Sequence, residues 1–534
     1  MAVSPTTLSA NAVRTPASVE SINPVNNEIV KRFAATQRED LPAMFERARG
    51  AQAGWAARPI FERAAHLRRL RDAIYERREE ICDVVSKETG KPRVEALLME
   101  VLVAIDMADF LGRQAPRWLA RESVPHHSMA MKAKRAWLEY APRGVIAIIS
   151  PWNFPFSIPM TEAMAALVAG NGVILKPSEM TPWSGALVGD MARQAGYPEG
   201  LLQVAQGAGD IGAAIIEAGP AKVFFTGSVP TGRRIAEACA KKLIPSVLEL
   251  GGKDAMIVLR DADLETASSA AVWGAFSNCG QACVGVKRVY VEEPAAERFI
   301  ALCVEKTKKL RLGPPSDPDA EIGPMIRATQ LEKIEAQLKE AAAQGAEIAA
   351  GGKRRPDLGP SFFEPAIVTH VNHSMRVMRE ESFGPVMAIQ AAGSAEEAVR
   401  LANDSAMGLA ASVWTRDEVR GAAIASGVRA GSVMVNDLLS YYGICEAPHG
   451  GSGESGWGRT HSRLGLQEMT DVKYVDVDRL PRVKKPWWFG YSAGMADAAR
   501  GLIDLLFAPS GLRRLRALGG RRSAAGMMFR GGRI

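Results

Sequence analysis

Cysteine is scarce in this chain, with six residues (82, 239, 279, 283, 303 and 445) among 534. That is too sparse for a disulfide framework and fits a reducing cytoplasm, where a cysteine with a task works as a thiol. The seven histidines never share a zinc-binding spacing with cysteine. Only Cys279 and Cys283 cluster, and two ligands do not make a tetrahedral site, so no metal is expected. No stretch approaches the ~18 uninterrupted apolar residues of a membrane span. The opening MAVSPTTLSANAVRTPAS lacks the apolar core of a secretory signal, and residues 1–20 read as a disordered tail. Positive charge is missing from the body. The net charge is +7, but the segment from Arg482 onward carries +9, which leaves the first 481 residues at −2. A near-neutral body removes the case for a nucleic-acid-binding core.

What is present is ordinary globular composition, 47% hydrophobic and 23% charged, in a length suited to two or three domains. Residues 38–117 have the periodicity of helices with charged faces. "KAKRAWLEYAPRG" alternates as a strand near an edge does. Short β-branched runs then alternate with helix-length segments: VIAIIS (145–150), VILKP (173–177), LLQVAQ (201–206), KVFFTG (222–227) and PSVLEL (245–250). A second series runs from AMIVL (255–259) to GSVMVND (431–437). Strand–helix alternation with apolar strands predicts doubly wound α/β sheets.

Several motifs sit where those strands end. "GAGDIG" (207–212) has dinucleotide-fingerprint glycines, but the stretch about 20 residues further on, KVFFTGSVPTG, holds no acidic residue and none follows it until Glu237, so it reads as a turn. "FFTGSVPTG" puts Gly227, Ser228 and Gly232 at a strand-to-helix turn suited to a phosphate. "KPSE" places Lys176 and Glu179 on the rim where cofactors bind in open α/β sheets. In "PWNFP" (151–155), two prolines stiffen the loop that aims the Asn153 amide, a donor an oxyanion would need. In "LELGGK" (248–253), Glu249 is a candidate general base, followed by Leu250 and two glycines that admit close backbone approach. "SNCGQACVGVKR" (277–288) adds two thiols, and "EESFGP" (380–385) completes the set.

Taken together and in this order, the motifs resemble the NAD(P)-dependent aldehyde dehydrogenase superfamily over roughly residues 20 to 475. The resemblance implies a Rossmann-like cofactor domain (21–127 and 142–251), a second α/β catalytic domain (252–462) and a small oligomerisation β-element (128–141 and 463–482). A basic tail (483–534) would follow. It implies that Cys283, two places after Gly280-Gln281 and 34 after Glu249, is the nucleophile and Cys279 a small core residue. Asn153 and the Cys283 N–H would hold the oxyanion, and Glu249 would activate water to hydrolyse a thioester. NAD would contact Trp152, Ser228, Lys176, Glu179, Leu250, Glu381 and Phe383, with Glu179 disfavouring the 2′-phosphate of NADP, which some relatives also use. A homodimer or homotetramer is implied.

The chain departs from the family pattern in places. His449 replaces the aromatic residue of a Pro-Phe-Gly-Gly loop, and Thr460 replaces a Glu, which puts the family's proton-relay route in doubt. Phe154, Ile158, Tyr442 and His449, with Leu438, Leu439, Tyr441 and Ile444, suggest an apolar channel. Succinate semialdehyde is the alternative substrate. The arginines that often clamp its carboxylate would fall at Thr161 and Ser277, so an apolar or broad range of aldehydes is expected. An idle scaffold on this fold would have lost one of Asn153, Glu249 and Cys283, and all three are present. "GMADAARGLIDLLF" followed by "GLRRLRALGGRRS" reads either as a basic amphipathic end for peripheral contact with an anionic membrane or as a solvated tail.

Overall fold

Strand runs such as Val-Ile-Ala-Ile-Ile carry no polar alternation because helices cover both faces of the sheets they enter. The structure, a computed structural model, describes residues 17–128, 131–485, 487–512 and 514. The chain divides into one unit of residues 1–120 and 140–471 and another of residues 121–139 and 472–534.

The larger unit is built around two large sheets. The first is built from β1 (Val145–Ile149), β2 (Gly172–Lys176), β3 (Leu202–Val204), β4 (Lys222–Thr226) and β5 (Ser246–Glu249). The second comprises β6 (Ala255–Val258), β7 (Arg288–Glu292), β8 (Glu347–Ala350), β9 (Ala366–Thr369), β10 (Val386–Ala392), β11 (Ala410–Trp414) and β12 (Ser432–Val435). A short β13 (Gly456–Trp457) returns antiparallel to β5 on the edge of the first sheet.

The first sheet runs β13-β5-β4-β1-β2-β3, with β1 to β5 mutually parallel. Chain order reverses at β1, which lies between β2 and β4, and this switch opens a crevice at the carboxyl ends. The loops after β1 and β4 carry Pro151-Trp152-Asn153 and Gly227-Ser228 to it. The second sheet runs β8-β9-β10-β7-β6-β11-β12, parallel except for β8. Here the functional motifs sit at the opposite ends: Gly251-Gly252 enters β6, Cys283 precedes β7, and Glu381–Phe383 precede β10. Carboxyl ends of one sheet thus face amino ends of the other, which is why motifs more than 200 residues apart converge.

Helix Ser157–Val168 is apolar almost all round and buried, as expected of a helix enclosed by its neighbours. Helices Ile60–Glu76 and Leu102–Trp118 pack on each other as part of the outer layer.

The smaller unit contributes most of a three-stranded sheet made from Glu122–Val124, Lys134–Pro142 and Thr470–Asp478, and the helix Ala493–Phe507. Ser492 caps that helix by accepting from the Met495 N–H. The first strand, Ser18–Ile22, begins inside the stretch expected to be a disordered tail because it pairs with Ile29–Ala34. The rest of that expectation, residues 1–16, lies outside the described residues, as does most of "GLRRLRALGGRRS". Among the described residues no helix is long and apolar enough to cross a membrane.

Candidate active site

The Gly-Gln-Ala-Cys turn is built from two left-handed residues, Asn278 (φ 50°) and Cys279 (φ 52°), followed by Gly280 (φ 68°). Non-glycine residues in that region carry strain, and such strain gathers at functional turns. Gly280 has no substitute, since a Cβ there would drive into the Gly384 carbonyl. Gln281 is tied at both ends of its amide: Nε2 donates to the Asn278 carbonyl, and Oε1 accepts from the Ile326 N–H at 2.9 Å. The buried Lys287 ammonium donates to the Gly280 carbonyl at 2.7 Å. The outcome separates the two thiols. Cys279 is 2% exposed and packed in the core, whereas Cys283 is half-buried and lines a cavity of about 150 Å³. Burial, then the Asp254, Glu381 and Glu249 carboxyls, push the Cys283 thiol up to about 12.

Asn153 is buried on the facing loop, and its amide donates to the Gln281 carbonyl at 3.1 Å. One N–H of the amide remains for a further acceptor. Its own carbonyl accepts from Lys91 Nζ (2.9 Å) and Asn278 Nδ2 (3.0 Å). Lys91 is fixed in turn by Glu100 at 2.6 Å, a pair with both side chains fully buried. The other Glu100 oxygen accepts from the Phe156 and Ser157 N–H groups, where helix Ser157–Val168 begins. Glu100 lies in a π-type turn, Leu97–Val101, of the kind often found near functional sites.

Glu249 ends β5 on the wall of the same cavity. It is 4% exposed, and among the described residues neither carboxyl oxygen has a hydrogen-bond partner. Burial and the Glu162 carboxyl hold it well above the usual carboxylate range, with Arg459 opposing. Burial also raises Glu162, to about 8. His449 Nε2 lies 3.6 Å from Glu249 Oε2, but burial takes the imidazole down to about 3, so the ring carries no charge and the contact is not an ion pair.

The remaining cavity wall includes Trp152, Gly227, Ser228, Leu250, Gly251, Glu381 and Phe383. Ser228 caps helix Val229–Lys241 without its side chain taking up a first-turn N–H, which leaves donors for an anion. Gly232 lies in that first turn against Leu250. A Cβ on Gly251 would lie 2.5 Å from both Glu381 oxygens, so the glycine admits that carboxylate. Phe383 stands edge-on to Trp152 with centroids 5.3 Å apart. Lys176 Nζ lies 3.5 Å from Glu179 Oε2 at the end of β2, outside this cavity. The "GAGDIG" turn lies beside it, with Gly212 against the Lys176 side chain.

The aldehyde dehydrogenase family model matches residues 12–475. The chain belongs to the aldehyde dehydrogenase family. It is 36% identical over 490 residues to the 4,4'-diapolycopene aldehyde oxidase of a Methylomonas species, spanning 92% of this chain and 91% of that one. It is 39% identical over 450 residues to a Mycolicibacterium smegmatis protein named "Putative succinate-semialdehyde dehydrogenase (NADP+)", covering 84% and 86% of the two chains. Among solved structures, the betaine aldehyde dehydrogenase of Staphylococcus aureus in complex with NAD+ superimposes with a TM-score of 0.83 at 31% identity, over 88% of this chain and 93% of that one.

Within this aldehyde dehydrogenase fold the expected channel residues scatter. Leu438, Leu439 and Tyr441 are core residues of the second sheet, and Ile444 is exposed. Ile158 is buried in its helix, and Phe154 packs under the Lys91 ammonium. Tyr442 stands edge-on to His449 at 4.9 Å and lies 4.6 Å from His461. None of Phe154, Ile158, Tyr442 and His449 lines the Cys283 cavity itself. Gln330 and Lys333, from helix Ala328–Ala343, do line it and went unread, because no motif marks them. Lys91, Glu100 and Glu162 were also missed. A charged residue inside an otherwise apolar run, as Glu162 is in SIPMTEAMAALV, was the available signal.

Proposed function

We propose that the protein oxidises an aldehyde to a carboxylic acid with NAD(P)+ as acceptor. The observation that carries this reading is the meeting of Cys283, Asn153 and Glu249 around one cavity that also holds Trp152, Ser228, Glu381 and Phe383. The Cys283 thiolate attacks the carbonyl carbon and forms a thiohemiacetal. The free N–H of the Asn153 amide and the Cys283 backbone N–H stabilise its oxyanion. Trp152, Ser228, Glu381 and Phe383 would hold NAD(P)+ against this carbon, where the cofactor would supply the hydride acceptor. Glu249 then takes a proton from water, and the resulting hydroxide releases the acid from the Cys283 thioester.

The uncapped first turn at Ser228, the Gly251 clearance for Glu381 and the Lys176–Glu179 pair all suit an adenine dinucleotide. Glu179 next to the ribose seat disfavours a 2′-phosphate, so NAD is the preferred acceptor and NADP the secondary one. A relative named for 4,4'-diapolycopene aldehyde supports an apolar or broad substrate range, as do Thr161 and Ser277 in place of a cationic clamp. A panel of aldehydes spanning succinate semialdehyde to long-chain alkanals, read at the NADH band, tests both activity and substrate. No reduction with any aldehyde, and no difference between wild type and Cys283→Ala, would refute the reading.

The assembly is a cytoplasmic homodimer or homotetramer, with Val472, Tyr474 and Val477 exposed along one strand as the apolar surface to cover. For the basic end, an anionic membrane surface is the favoured partner. Trp487, Trp488, Phe489 and Tyr491 are exposed beside Lys484 and Lys485, a mixture of aromatic and basic side chains suited to the membrane interface. Sedimentation with phosphatidylserine vesicles should pellet the full chain and spare one truncated after Lys485. Equal pelleting would end that proposal.

A further inference from the structure

Among the described residues the oxygens of Glu249 meet no hydrogen-bond donor, yet a base buried this deeply must shed its proton once per turnover. The contact that offers an exit is the His449 ring. Its Nε2 is 3.6 Å from Glu249 Oε2, and its Nδ1 is 3.0 Å from the Tyr441 hydroxyl. The Tyr441 oxygen also faces the Ser432 hydroxyl, and Ser432, which opens β12, is only half-buried. His449 is locked in place by paired backbone bonds with Thr460: His449 N–H donates to the Thr460 carbonyl at 2.9 Å, and Thr460 N–H to the His449 carbonyl at 2.8 Å. Side-chain groups therefore run from the buried carboxyl to a half-buried serine.

We propose that His449 and Tyr441 form a proton exit from Glu249 to the surface at Ser432, an inference that rests on Glu249 serving as the base proposed above. In the step, the Glu249 O–H bond breaks and an Nε2–H bond forms on His449. The His449 Nδ1–H proton passes to the Tyr441 oxygen, and the Tyr441 hydroxyl proton passes to Ser432 and then to water. Glu249 is left as carboxylate, and the ring and the hydroxyls turn back before the next cycle. One proton enters and one leaves, and no oxidant is consumed. A neutral imidazole suits this task because it can accept at one nitrogen while donating from the other. Burial keeps His449 from storing the charge. The charged or titratable neighbours are Glu162, Arg459 and Cys283 around Glu249, His461, Arg459 and Tyr442 around His449, and Asp254 and Cys283 around Tyr441. Glu162 bonds through one oxygen to Thr226 at 3.3 Å, and among the described residues its other oxygen has no partner and no hydrogen-bonded link joins it to Glu249.

The test is the first-turnover burst of NADH followed by steady-state turnover, with an aldehyde that the wild type oxidises. His449→Phe should keep a burst of near one NADH per active site while the later turnover falls roughly 10²-fold, the scale of a lost proton-transfer group. Imidazole at tens of millimolar should restore part of that loss, which a merely structural role would not allow. Tyr441→Phe should show the same split with a smaller loss, and it carries the test if His449→Phe fails to fold. Turnover by His449→Phe and Tyr441→Phe within twofold of wild type would overturn the proposal. So would slowing by Glu162→Gln with neither of those variants affected. Glu249→Gln separates the two readings. If it stalls after the burst while His449→Phe turns over normally, only the exit route falls. If Glu249→Gln turns over normally, the base assignment and the route fall together.

Discussion

Replacing Lys91 by methionine probes the least visible part of the site. The side chain keeps its volume, but the Glu100 carboxylate is left buried without the cation 2.6 Å away, and the Asn153 carbonyl loses one of its two donors. Removing one partner of a fully buried pair costs about 3–5 kcal/mol because the remaining charge is uncompensated. Unfolding entropy near 2.1 cal/mol/K per residue, taken over 534 residues, gives about 1.1 kcal/mol/K. The melting temperature should therefore fall by about 3–4 °C. The rate should suffer separately, since a shift of about 1 Å in the Asn153 amide can cost about 10²-fold. Changing Glu100 to glutamine in the same chain removes the stranded charge and keeps an acceptor for the Phe156 and Ser157 N–H groups. Most of the thermal loss should return, while turnover stays low because the Asn153 carbonyl still lacks its lysine. Differential scanning calorimetry and steady-state kinetics on the wild type, the single and the double variant read these effects. A single variant that melts within 1 °C of wild type and keeps its kcat would refute the reasoning, as would a double variant less stable than the single.

Three further outcomes follow from named contacts. Glu179→Gln should raise kcat/KM for NADP+ about fivefold to tenfold, a modest gain because this carboxylate is half exposed and screened; initial rates with both cofactors check it, and an unchanged ratio counts against the ribose-side role. Gly251→Ala would push a methyl to within 2.5 Å of the Glu381 oxygens, so the NAD KM should rise about tenfold with little change in melting temperature; an unchanged KM would remove Glu381 from the cofactor seat. Without cofactor, Cys283 held near 12 has about three powers of ten fewer thiolates at pH 7 than a free cysteine near 8.5. Its alkylation by iodoacetamide, followed on the Cys283 peptide, should therefore climb about tenfold per pH unit through pH 10, whereas a plateau near pH 8 would show that burial and the surrounding carboxyls do not raise it.

The sheets were legible in the sequence because parallel strands buried on both faces leave unbroken apolar runs, and VIAII and KVFFT became β1 and β4 much as written. The rims were legible too, since proline and glycine punctuate strand ends. What could not be read was the meeting of opposite strand ends from two sheets, which depends on sheet packing and leaves no local pattern. The supports of the site were hidden for a related reason. Lys91 and Glu100 lie nine residues apart in helical sequence rich in arginine and glutamate, and only burial tells this pair from solvated ones such as Glu305 and Lys309. The channel expectation went astray at Leu438 and Tyr441 because apolar loop residues fill cores as readily as they line pockets.

The account rests on a covalent acyl group on one particular thiol. Glu249→Gln incubated with NAD+ and an accepted aldehyde, quenched in acid and digested, should yield the peptide containing Cys283 heavier by the acyl mass. Cys279 lies four residues away on the same peptide, and fragmentation locates the added mass. An acyl group on Cys283 is the predicted result. An unmodified peptide after NADH has formed, or the group on Cys279, would contradict the account.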